Sequence, residues 1–308
     1  MKSTVTVCAD ALPLVRFRFA DYVELTRPRI AVMVLFTTAA GFALASAGAP
    51  DLARLFHTMF GTVLLVAGAS ALNQVLERHS DAVMERTRNR PVPAGRLQPG
   101  GVLLFGLILA LAGLAYLALT VRQPLAIAAA GFAFVSYVFL YTPLKRTTTL
   151  NTLVGAIPGA MPPVIGWTAV TNSFGPAAAV LFAVLFLWQV PHFLAIAWIY
   201  RDDYARAGLR MLPVLDPSGH RTARRMVAYC LALLLVSVLP SNLGWAGPVY
   251  LLGAIILGGA FLVSAFGFWR TRSVFQARRV LRASLVYLPA LLTVLLMEGV
   301  LKSWAGTR

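Results

Sequence analysis

Long apolar stretches recur along almost the whole chain, and they limit its possible folds more than any other feature of the sequence. A helix crosses a membrane with about 17–25 predominantly apolar residues. Nine such stretches can be placed, near residues 30–48, 55–76, 101–120, 124–142, 151–170, 176–199, 226–242, 247–268 and 283–301. Only 12% of the residues are charged, against about 25% in soluble domains. The sequence therefore predicts an all-α, multi-span integral membrane protein.

The fifth stretch differs from the others because it contains three prolines, Pro158, Pro162 and Pro163. Proline removes a backbone hydrogen bond inside a helix, and a membrane tolerates this only where neighbouring helices or water satisfy the freed carbonyls. We expect a kinked helix that borders a cavity. We interpret residues 30–303 as one transmembrane domain, with a cytoplasmic arm before it over residues 1–29 and a short tail over residues 304–308.

The basic residues are distributed unevenly between the two sides of the predicted membrane. With nine spans, 23 of the 27 lysines and arginines fall on the side of the N-terminus. Such segments face the cytoplasm in most membrane proteins. We therefore expect a multi-pass protein with the N-terminus inside and the C-terminus outside. The formal charge of +16 does not indicate nucleic-acid binding, because the cations lie in short segments beside the lipid headgroups.

The segment that follows the second stretch carries acidic and amide side chains at a helical spacing. Asn73, Glu77 and Asp81 are four residues apart, so on a continuous helix they lie on one face, about 6 Å apart per step. Mg²⁺ takes oxygen ligands from one or two carboxylates and completes its shell with water and phosphate oxygens. The spacing favours a Mg²⁺ site; the alternative is a solvated loop at the membrane edge.

A second acidic pair, Asp202 and Asp203, follows the sixth stretch and is predicted on the same side of the membrane. Cations accompany both acidic segments, and the candidates for phosphate binding are Arg86, Arg90, Lys145 and Arg146. Guanidinium groups bind phosphate oxygens in pairs. These residues predict a diphosphate pocket at the cytoplasmic edge; the alternative is a pair of basic loops that only set the orientation of the chain.

Three runs of sequence between residues 71 and 214 carry a resemblance to a known family. They read ALNQVLERHSDAVMERTRNRPVPAGRL, YTPLKRTTTLNTLVGAIPGAMPPVIGW and VPHFLAIAWIYRDDYARAGLRMLPV. Together and in this order they resemble the UbiA-type intramembrane prenyltransferases, in particular the branch that farnesylates heme. The resemblance implies about nine helices around a central cavity. It also implies transfer of a farnesyl group from farnesyl diphosphate to a vinyl group of heme b, with Mg²⁺ as cofactor and heme O and diphosphate as products.

The resemblance extends to individual residues of both acidic segments. Asn73 and Asp81 match the first acidic motif of the family, and Asp202 and Asp203 match the second. Glu77 stands where an aspartate is usual, which keeps the carboxylate but lengthens its side chain. The resemblance implies that these five residues hold the metal and act in catalysis. It assigns the diphosphate to the cations Arg86, Arg90, Lys145 and Arg146.

Three further positions depart from the patterns of related enzymes. His79 stands where another aspartate often occurs, so one possible oxygen ligand is missing. Tyr200 and Tyr204 replace acids that relatives acting on quinone precursors carry. This departure agrees with the heme branch. Prenylation of a quinone-precursor aromatic acid is the alternative enzymatic function, and a membrane transporter is the alternative of another class.

His192, in the sixth stretch, is the candidate for contact with the heme acceptor. If the helix is continuous, His192 and Asp203 share a face, and eleven residues separate them by about 16 Å along the axis. Heme iron is commonly held by histidine, although a hydrogen bond to a neighbouring carbonyl explains a buried imidazole equally well. Glu298, an acid inside the last stretch, is left without a role.

The remaining expectations concern partners and cysteines. The lipid bilayer surrounds the protein, and heme A synthase or a terminal oxidase assembly is a candidate partner for delivery of the product. Cys8 and Cys230 have neither a CxxC nor a zinc-like spacing, so we expect neither a disulfide framework nor a cysteine metal site.

Overall fold

The structure is a computed structural model that describes residues 19–306, with side chains described up to residue 299. Residues 1–18 of the predicted arm, which include Cys8, and the last two residues of the predicted tail lie outside the described residues. The part that is described forms helices and no strands. The predicted all-α class is therefore confirmed.

In the first half of the chain, long helices are joined to short ones at one end of the bundle. In order, they are α1 (Phe19–Leu25), α2 (Pro28–Ala45), α3 (Leu52–Leu76), α4 (Arg78–Val83), α5 (Pro99–Thr120) and α6 (Pro124–Val135). Helix α6 continues as a π-helical segment, Ser136–Tyr141, and ends in a single turn, α7 (Thr142–Leu144). Such π segments are frequent at functional sites, and this one leads directly to Lys145.

The second half of the chain has the same alternation. Its helices are α8 (Asn151–Gly159), α9 (Met161–Thr171), α10 (Pro176–Ile199), α11 (Arg201–Arg206), α12 (His220–Ser237), α13 (Leu239–Asn242), α14 (Pro248–Thr271) and α15 (Val274–Gly306). A 3₁₀ turn, Leu212–Val214, lies between α11 and α12. Helix α10 packs against α8, α12 and α15, so it occupies the centre of this half.

Within the described residues, nine helical segments are long and apolar enough to cross a membrane. They correspond one to one to the nine predicted stretches. The largest differences are at the starts of two spans, because α12 begins at His220 rather than near residue 226, and α15 at Val274 rather than near residue 283. Both early turns are rich in arginine, which is a good helix former. Loss of hydrophobicity marks the edge of the membrane and not the end of the helix.

The fifth span is broken, as its prolines predict. Helix α8 contains Pro158 and ends at Gly159, and α9 begins at Met161 with Pro162 in its first turn. The backbone N–H of Ala160 still donates to the carbonyls of Ala156 and Ile157, at 3.1 Å each. The break is therefore a kink between two stacked helices.

Two glycines allow α2 and the second half of the broken span to approach closely. A Cβ atom on Gly41 would lie 2.1 Å from the carbonyl oxygen of Pro163, and one on Gly166 would lie 2.0 Å from the carbonyl oxygen of Thr38. Either contact would force the two backbones apart. The small residues fix the first span against the fifth, as in other membrane helix pairs.

The connections after α3, α7 and α11 meet at one end of the bundle. The backbone N–H of Arg210 donates to the carbonyl of Lys145 at 2.8 Å. The side-chain amide of Asn151 donates to the carbonyl of Arg210 at 3.0 Å. Arg86 donates to the hydroxyl of Tyr204 at 3.2 Å. The three sequence runs that carry the family resemblance therefore contact one another.

Candidate active site

Asn73 is the fully buried centre of the first acidic cluster, which consists of Asn73, Glu77 and Asp81. Its side-chain carbonyl accepts from a guanidinium nitrogen of Arg27 at 3.1 Å. Its amide nitrogen donates to the hydroxyl of Thr142 at 3.1 Å. Both ends of the amide are thus held, one from the start of the first span and one from the end of the fourth.

The helix that carries this cluster is interrupted at Glu77. Helix α3 ends at Leu76, and α4 begins at Arg78. The backbone bonds from Glu77 N–H to the Asn73 carbonyl and from Asp81 N–H to the Glu77 carbonyl, at 2.9 and 2.8 Å, continue through the break. The predicted spacing over successive turns is kept, although the predicted continuous helix is not.

Each acid of this first cluster is paired with a cation that the sequence assigns to diphosphate. The Lys145 Nζ lies 2.5 Å from Glu77 Oε1, and a guanidinium nitrogen of Arg90 lies 2.6 Å from Asp81 Oδ2. All four side chains are largely buried. The predicted acids and clamps are therefore brought together, but they bind one another in this structure.

The charges in this cluster stabilise one another. Burial favours the neutral form of the Glu77 carboxyl, but Lys145, with smaller contributions from Arg27 and Arg90, holds its pKa below the ordinary value. Burial also opposes the charge on Lys145, yet Glu77 raises the pKa of that ammonium group. Burial and the nearby charge of Arg27 lower the pKa of Arg90, which Asp81 partly restores. The cluster is a dense set of cations around two carboxylates.

Arg27 is a residue of this site that the sequence prediction missed. It stands between α1 and α2 with a left-handed backbone, at φ 50° and ψ 63°. Non-glycine residues seldom adopt this conformation. The only signal in the sequence was a basic residue before the proline that opens the first span. Nothing in the sequence connects it with Asn73, which lies 46 residues later.

The second acidic cluster, Asp202 and Asp203, is more open to solvent. Asp203 accepts from Arg206, and the same guanidinium lies 3.6 Å from Glu85. The side chain of Asp202 is 88% exposed and lies 3.7 Å from Arg201. A cleft of about 500 Å³ lies beside this cluster, lined by Glu85, Arg86, Ile199, Tyr200, Asp202, Asp203 and Arg206.

Arg86 connects the loop after the first cluster to the second cluster. Its guanidinium lies 5.1 Å from the ring centre of Tyr200 and 6.0 Å from that of Tyr204, whose hydroxyl accepts its hydrogen bond. Aromatic rings attract a guanidinium at such distances. The two tyrosines that replace acids therefore hold a cation of the predicted diphosphate pocket at the cleft. The fourth predicted clamp, Arg146, donates to the hydroxyl of Ser80 at 2.8 Å.

The donor set of the two clusters fits Mg²⁺ better than a softer metal. It offers carboxylate and amide oxygens, which hard divalent cations prefer. In the described part of the chain, no three acidic, histidine or cysteine side chains are close enough together to hold a metal. Mg²⁺ needs only one or two carboxylates when phosphate oxygens complete its shell. The metal assignment of the five residues stays a prediction.

His192 bonds a serine hydroxyl on a neighbouring helix. Its Nδ1 lies 2.7 Å from the hydroxyl oxygen of Ser284, and that hydroxyl is 2.6 Å from the carbonyl of Leu281. Because the hydroxyl donates its single proton to the carbonyl, Nδ1 of His192 is the donor, and Nε2 keeps its lone pair. Trp188 stacks on the imidazole at 5.0 Å. The partner of Nδ1 is thus a hydroxyl and not the backbone carbonyl that the sequence offered as the alternative to heme.

His192 and Asp203 do not lie on one continuous helix, contrary to the condition under which the sequence places them on one face. Helix α10 ends at Ile199, and Tyr200, at φ −108° and ψ 25°, separates it from α11. The rotation of 100° per residue that places His192 and Asp203 on one face applies only to an unbroken helix. The contact of His192 with heme stays a prediction.

Glu298 has a structural explanation. Its carboxylate accepts from the backbone N–H groups of Gly247 and Val249, at 2.5 and 3.0 Å. These groups belong to the start of α14, where the first N–H groups of a helix have no partner within it. The intramembrane acid therefore caps the eighth span and lies outside both acidic clusters.

Known proteins are similar to this chain over most of its length. The UbiA prenyltransferase family matches residues 34–300. A protein named protoheme IX farnesyltransferase from Solibacter usitatus (strain Ellin6076) is 47% identical and covers 90% of this chain and 98% of its own. One of the same name from Koribacter versatilis (strain Ellin345) is 40% identical, with 97% and 99% covered.

Solved structures share the fold at low sequence identity. A digeranylgeranylglyceryl phosphate synthase superposes with a TM-score of 0.76 at 16% identity and covers 91% of this chain and 98% of its own. A UbiA homologue from Archaeoglobus fulgidus bound to GPP and Mg²⁺ superposes with a TM-score of 0.62 at 12% identity, with 89% and 99% covered. The resemblance stated from the three sequence runs is confirmed, and the chain belongs to the UbiA prenyltransferase family.

Proposed function

We propose that this protein transfers the farnesyl group of farnesyl diphosphate to a vinyl group of protoheme IX, heme b, and that water then adds to the resulting carbocation with loss of a proton, giving heme O and diphosphate. The observation that carries the proposal is the similarity to protoheme IX farnesyltransferases at 40–48% identity over most of both chains. The cation-rich clusters support a diphosphate substrate. The almost purely apolar spans support a long prenyl chain.

The cations of the two clusters bind and stabilise the leaving group. Ionisation of an allylic diphosphate places additional negative charge on the departing oxygens, and positive groups that face those oxygens lower the barrier. Arg27, Arg90 and Lys145 supply this charge beside the first cluster, and Arg86 supplies it beside the second. Asn73, Glu77 and Asp81 in the first cluster and Asp202 and Asp203 in the second are the residues that would hold Mg²⁺, which would neutralise part of the diphosphate charge.

The pairing of acids and cations keeps the site organised before the substrate arrives. Lys145 and Arg90 are held in place by Glu77 and Asp81, so their positions cost little to fix when diphosphate binds. Glu77 and Asp81 each bind their cation through one oxygen, so the other carboxylate oxygen of each remains available as a metal ligand. The apolar bundle excludes water from the allylic cation, which would otherwise be hydrolysed.

The acceptor is placed by His192. Nε2 of His192 keeps its lone pair because Nδ1 donates to Ser284, and neutral imidazole with a free ring nitrogen is a common ligand of heme iron. We infer that His192 orients the porphyrin so that a vinyl group faces the farnesyl group. Replacement of His192 by Ala should weaken heme b binding and leave farnesyl diphosphate binding unchanged; unchanged heme affinity contradicts the assignment.

We place the face with the acidic clusters in the cytoplasm of a bacterial cell and the C-terminus outside the inner membrane. The support is the distribution of cations, 23 of 27 on one side. Tags at residues 90 and 215 should be accessible only from the cytoplasm, and a tag after Arg308 only from outside. A C-terminal tag accessible from the cytoplasm contradicts this orientation. A heme A synthase or terminal oxidase assembly is the proposed recipient of heme O.

The function is tested by incubating the purified protein in membranes with heme b, farnesyl diphosphate and Mg²⁺. The expected result is a farnesylated, hydrated heme detected by mass and an equal amount of released diphosphate. A parallel incubation with 4-hydroxybenzoate in place of heme tests the quinone-precursor alternative. Product with the hydroxybenzoate and none with heme would overturn the proposal.

A further inference from the structure

A group of six exposed arginines lies at the basic end of the last three spans. This arginine surface consists of Arg221, Arg224, Arg270, Arg278, Arg279 and Arg282. They belong to the start of α12, the end of α14 and the start of α15. Helix α14 packs against both α12 and α15. Only Arg272 and Ser273 separate α14 from α15, and a guanidinium nitrogen of Arg272 lies 3.2 Å from Nδ1 of His220 at the start of α12. The three helix ends therefore form one surface.

The guanidinium groups of this surface have no carboxylate partner within the described residues. None of the six arginines forms an ion pair or side-chain hydrogen bond within the described residues. The acid nearest to this surface in sequence, Asp216, precedes α12 and accepts from the backbone N–H groups of Arg221 and Thr222 and from the Thr222 hydroxyl, and not from a guanidinium group. By contrast, Arg90, Arg96 and Arg206, at the same end of the bundle, are paired with carboxylates. Like charges at one surface repel one another, so this surface is suited to an anionic partner.

Exposed apolar side chains adjoin the arginine surface. The side chains of Trp269, Val274 and Phe275 border the same turn, and Phe275 is 66% exposed. Aromatic residues in such positions lie at the level of the lipid headgroups. The arginines beside them are therefore at the depth of headgroup phosphates. Guanidinium groups bind phosphate oxygens in pairs, and basic pockets between membrane helices bind anionic headgroups.

Insertion of the chain into the membrane does not explain this surface completely. The bias that orients membrane proteins depends on lysine and arginine, and acidic residues contribute little to it. It therefore favours basic residues here but does not require that they lack acidic partners, since Arg90, Arg96 and Arg206 at the same end are paired with carboxylates. A surface that binds anions accounts for unpaired arginines, because a carboxylate would compete with the ligand for the guanidinium groups.

We propose that the arginine surface of α12, α14 and α15 is a binding site for the phosphate headgroups of anionic phospholipids. Bound headgroups relieve the repulsion among the arginines and hold the three helix ends together. The proposal depends on the fold and the charge distribution and not on the prenyl-transfer reaction. A free phosphate ion lacks the acyl chains that would contact Trp269 and Phe275.

The test compares nanodiscs of phosphatidylcholine alone with nanodiscs that also contain phosphatidylglycerol. Wild type should unfold at a higher temperature with phosphatidylglycerol and retain it in native mass spectrometry. The variant Arg278→Gln/Arg279→Gln should lose most of both effects. We expect affinity for phosphatidylglycerol to fall about fivefold per arginine, which corresponds to the ~1 kcal/mol that a cation contributes near an anionic surface. Arg278→Lys/Arg279→Lys keeps the charge and should retain part of the affinity.

The matched control is Arg54→Gln/Arg122→Gln, which removes two charges from the opposite face. It should behave as wild type. An equal response of wild type, variant and control overturns the proposal. The proposal is also overturned if inorganic phosphate or an acidic peptide stabilises wild type in neutral nanodiscs as much as phosphatidylglycerol does. Lipid retention is also measured on wild type, so the proposal can be tested even if the variant fails to fold. Absence of retained phosphatidylglycerol on wild type contradicts the proposal.

Discussion

The first and second acidic clusters differ in how far water reaches them. Asn73 is fully buried, and the side chain of Asp81 is only 4% exposed and paired with Arg90. In the second cluster the side chain of Asp203 is also largely buried, at 10% exposed, but Asp202 is 88% exposed and Arg206, the partner of Asp203, is 50% exposed, so water reaches this ion pair from the side of the arginine. A buried ion pair is costly to break, whereas a surface pair contributes about 0–1 kcal/mol. The first cluster is therefore fixed, and the second can rearrange when substrate binds.

The largest expected effect is that of Asp81→Asn in the first cluster. Removing the charge takes away a metal ligand and leaves Arg90 without its anion. We expect turnover to fall at least about 100-fold and stability to fall by roughly 2–4 kcal/mol. Activity assays and thermal unfolding in detergent measure the two effects.

A double variant separates the two roles of Asp81. Asp81→Asn/Arg90→Gln should recover much of the lost stability, since no unpaired charge remains, but not the turnover. Recovery of turnover as well would mean that Asp81 only neutralises Arg90 and does not act on the substrate.

The pair Glu77 and Lys145 should give the first cluster a distinct dependence on pH. The pKa of Glu77 is lowered from its ordinary value of 4.5, so its contribution to stability is fully present above about pH 4.5 and is lost as the pH falls through the folded-state pKa. The pKa of Lys145 is raised above its ordinary value of 10.5, so its contribution is lost only at higher pH. Unfolding temperatures between pH 3 and pH 7 measure the loss of stability at acidic pH.

The control for this pH dependence removes both partners. Glu77→Gln/Lys145→Gln should unfold with a weaker dependence on acidic pH than wild type. Glu77→Asp should keep the pair in part and retain measurable turnover. If the double variant loses as much stability at acidic pH as wild type, then other carboxylates determine this loss.

Asp203→Asn makes the corresponding change in the second cluster. We expect a loss of turnover similar to that of Asp81→Asn, because Asp203 is also a predicted metal ligand. The loss of stability should be only about 0–1 kcal/mol, because the paired Arg206 is half exposed. A stability loss equal to that of Asp81→Asn would contradict the difference drawn between the clusters.

Glu298→Gln changes an acid that lies outside both clusters, and it should have the smallest effect. It weakens the hydrogen bonds to the backbone N–H groups of Gly247 and Val249. Loss of such a helix cap costs about 1 kcal/mol, and turnover should stay at the wild-type level. Reduced turnover in a protein of normal stability would assign Glu298 to the reaction.

Local sequence patterns were sufficient to predict the spans, the kink and the approximate position of the site. Nine apolar stretches predicted nine spans because each helix must satisfy its own backbone in lipid. The prolines at 158, 162 and 163 predicted the break between α8 and α9. The i, i+4 spacing of Asn73, Glu77 and Asp81 survived the interruption at Glu77, since the backbone bonds on both sides of it are kept.

The fold class, the spans and the types of residue that gather at one end of the bundle thus follow from hydrophobicity, helical period and charge along the chain. The side chains that meet in the site could not be paired from local patterns. Arg27 reaches Asn73, Lys145 reaches Glu77 and His192 reaches Ser284 across 46, 68 and 92 residues. Such partners depend on how helices pack side by side, and packing depends on the shapes of all the neighbouring side chains at once.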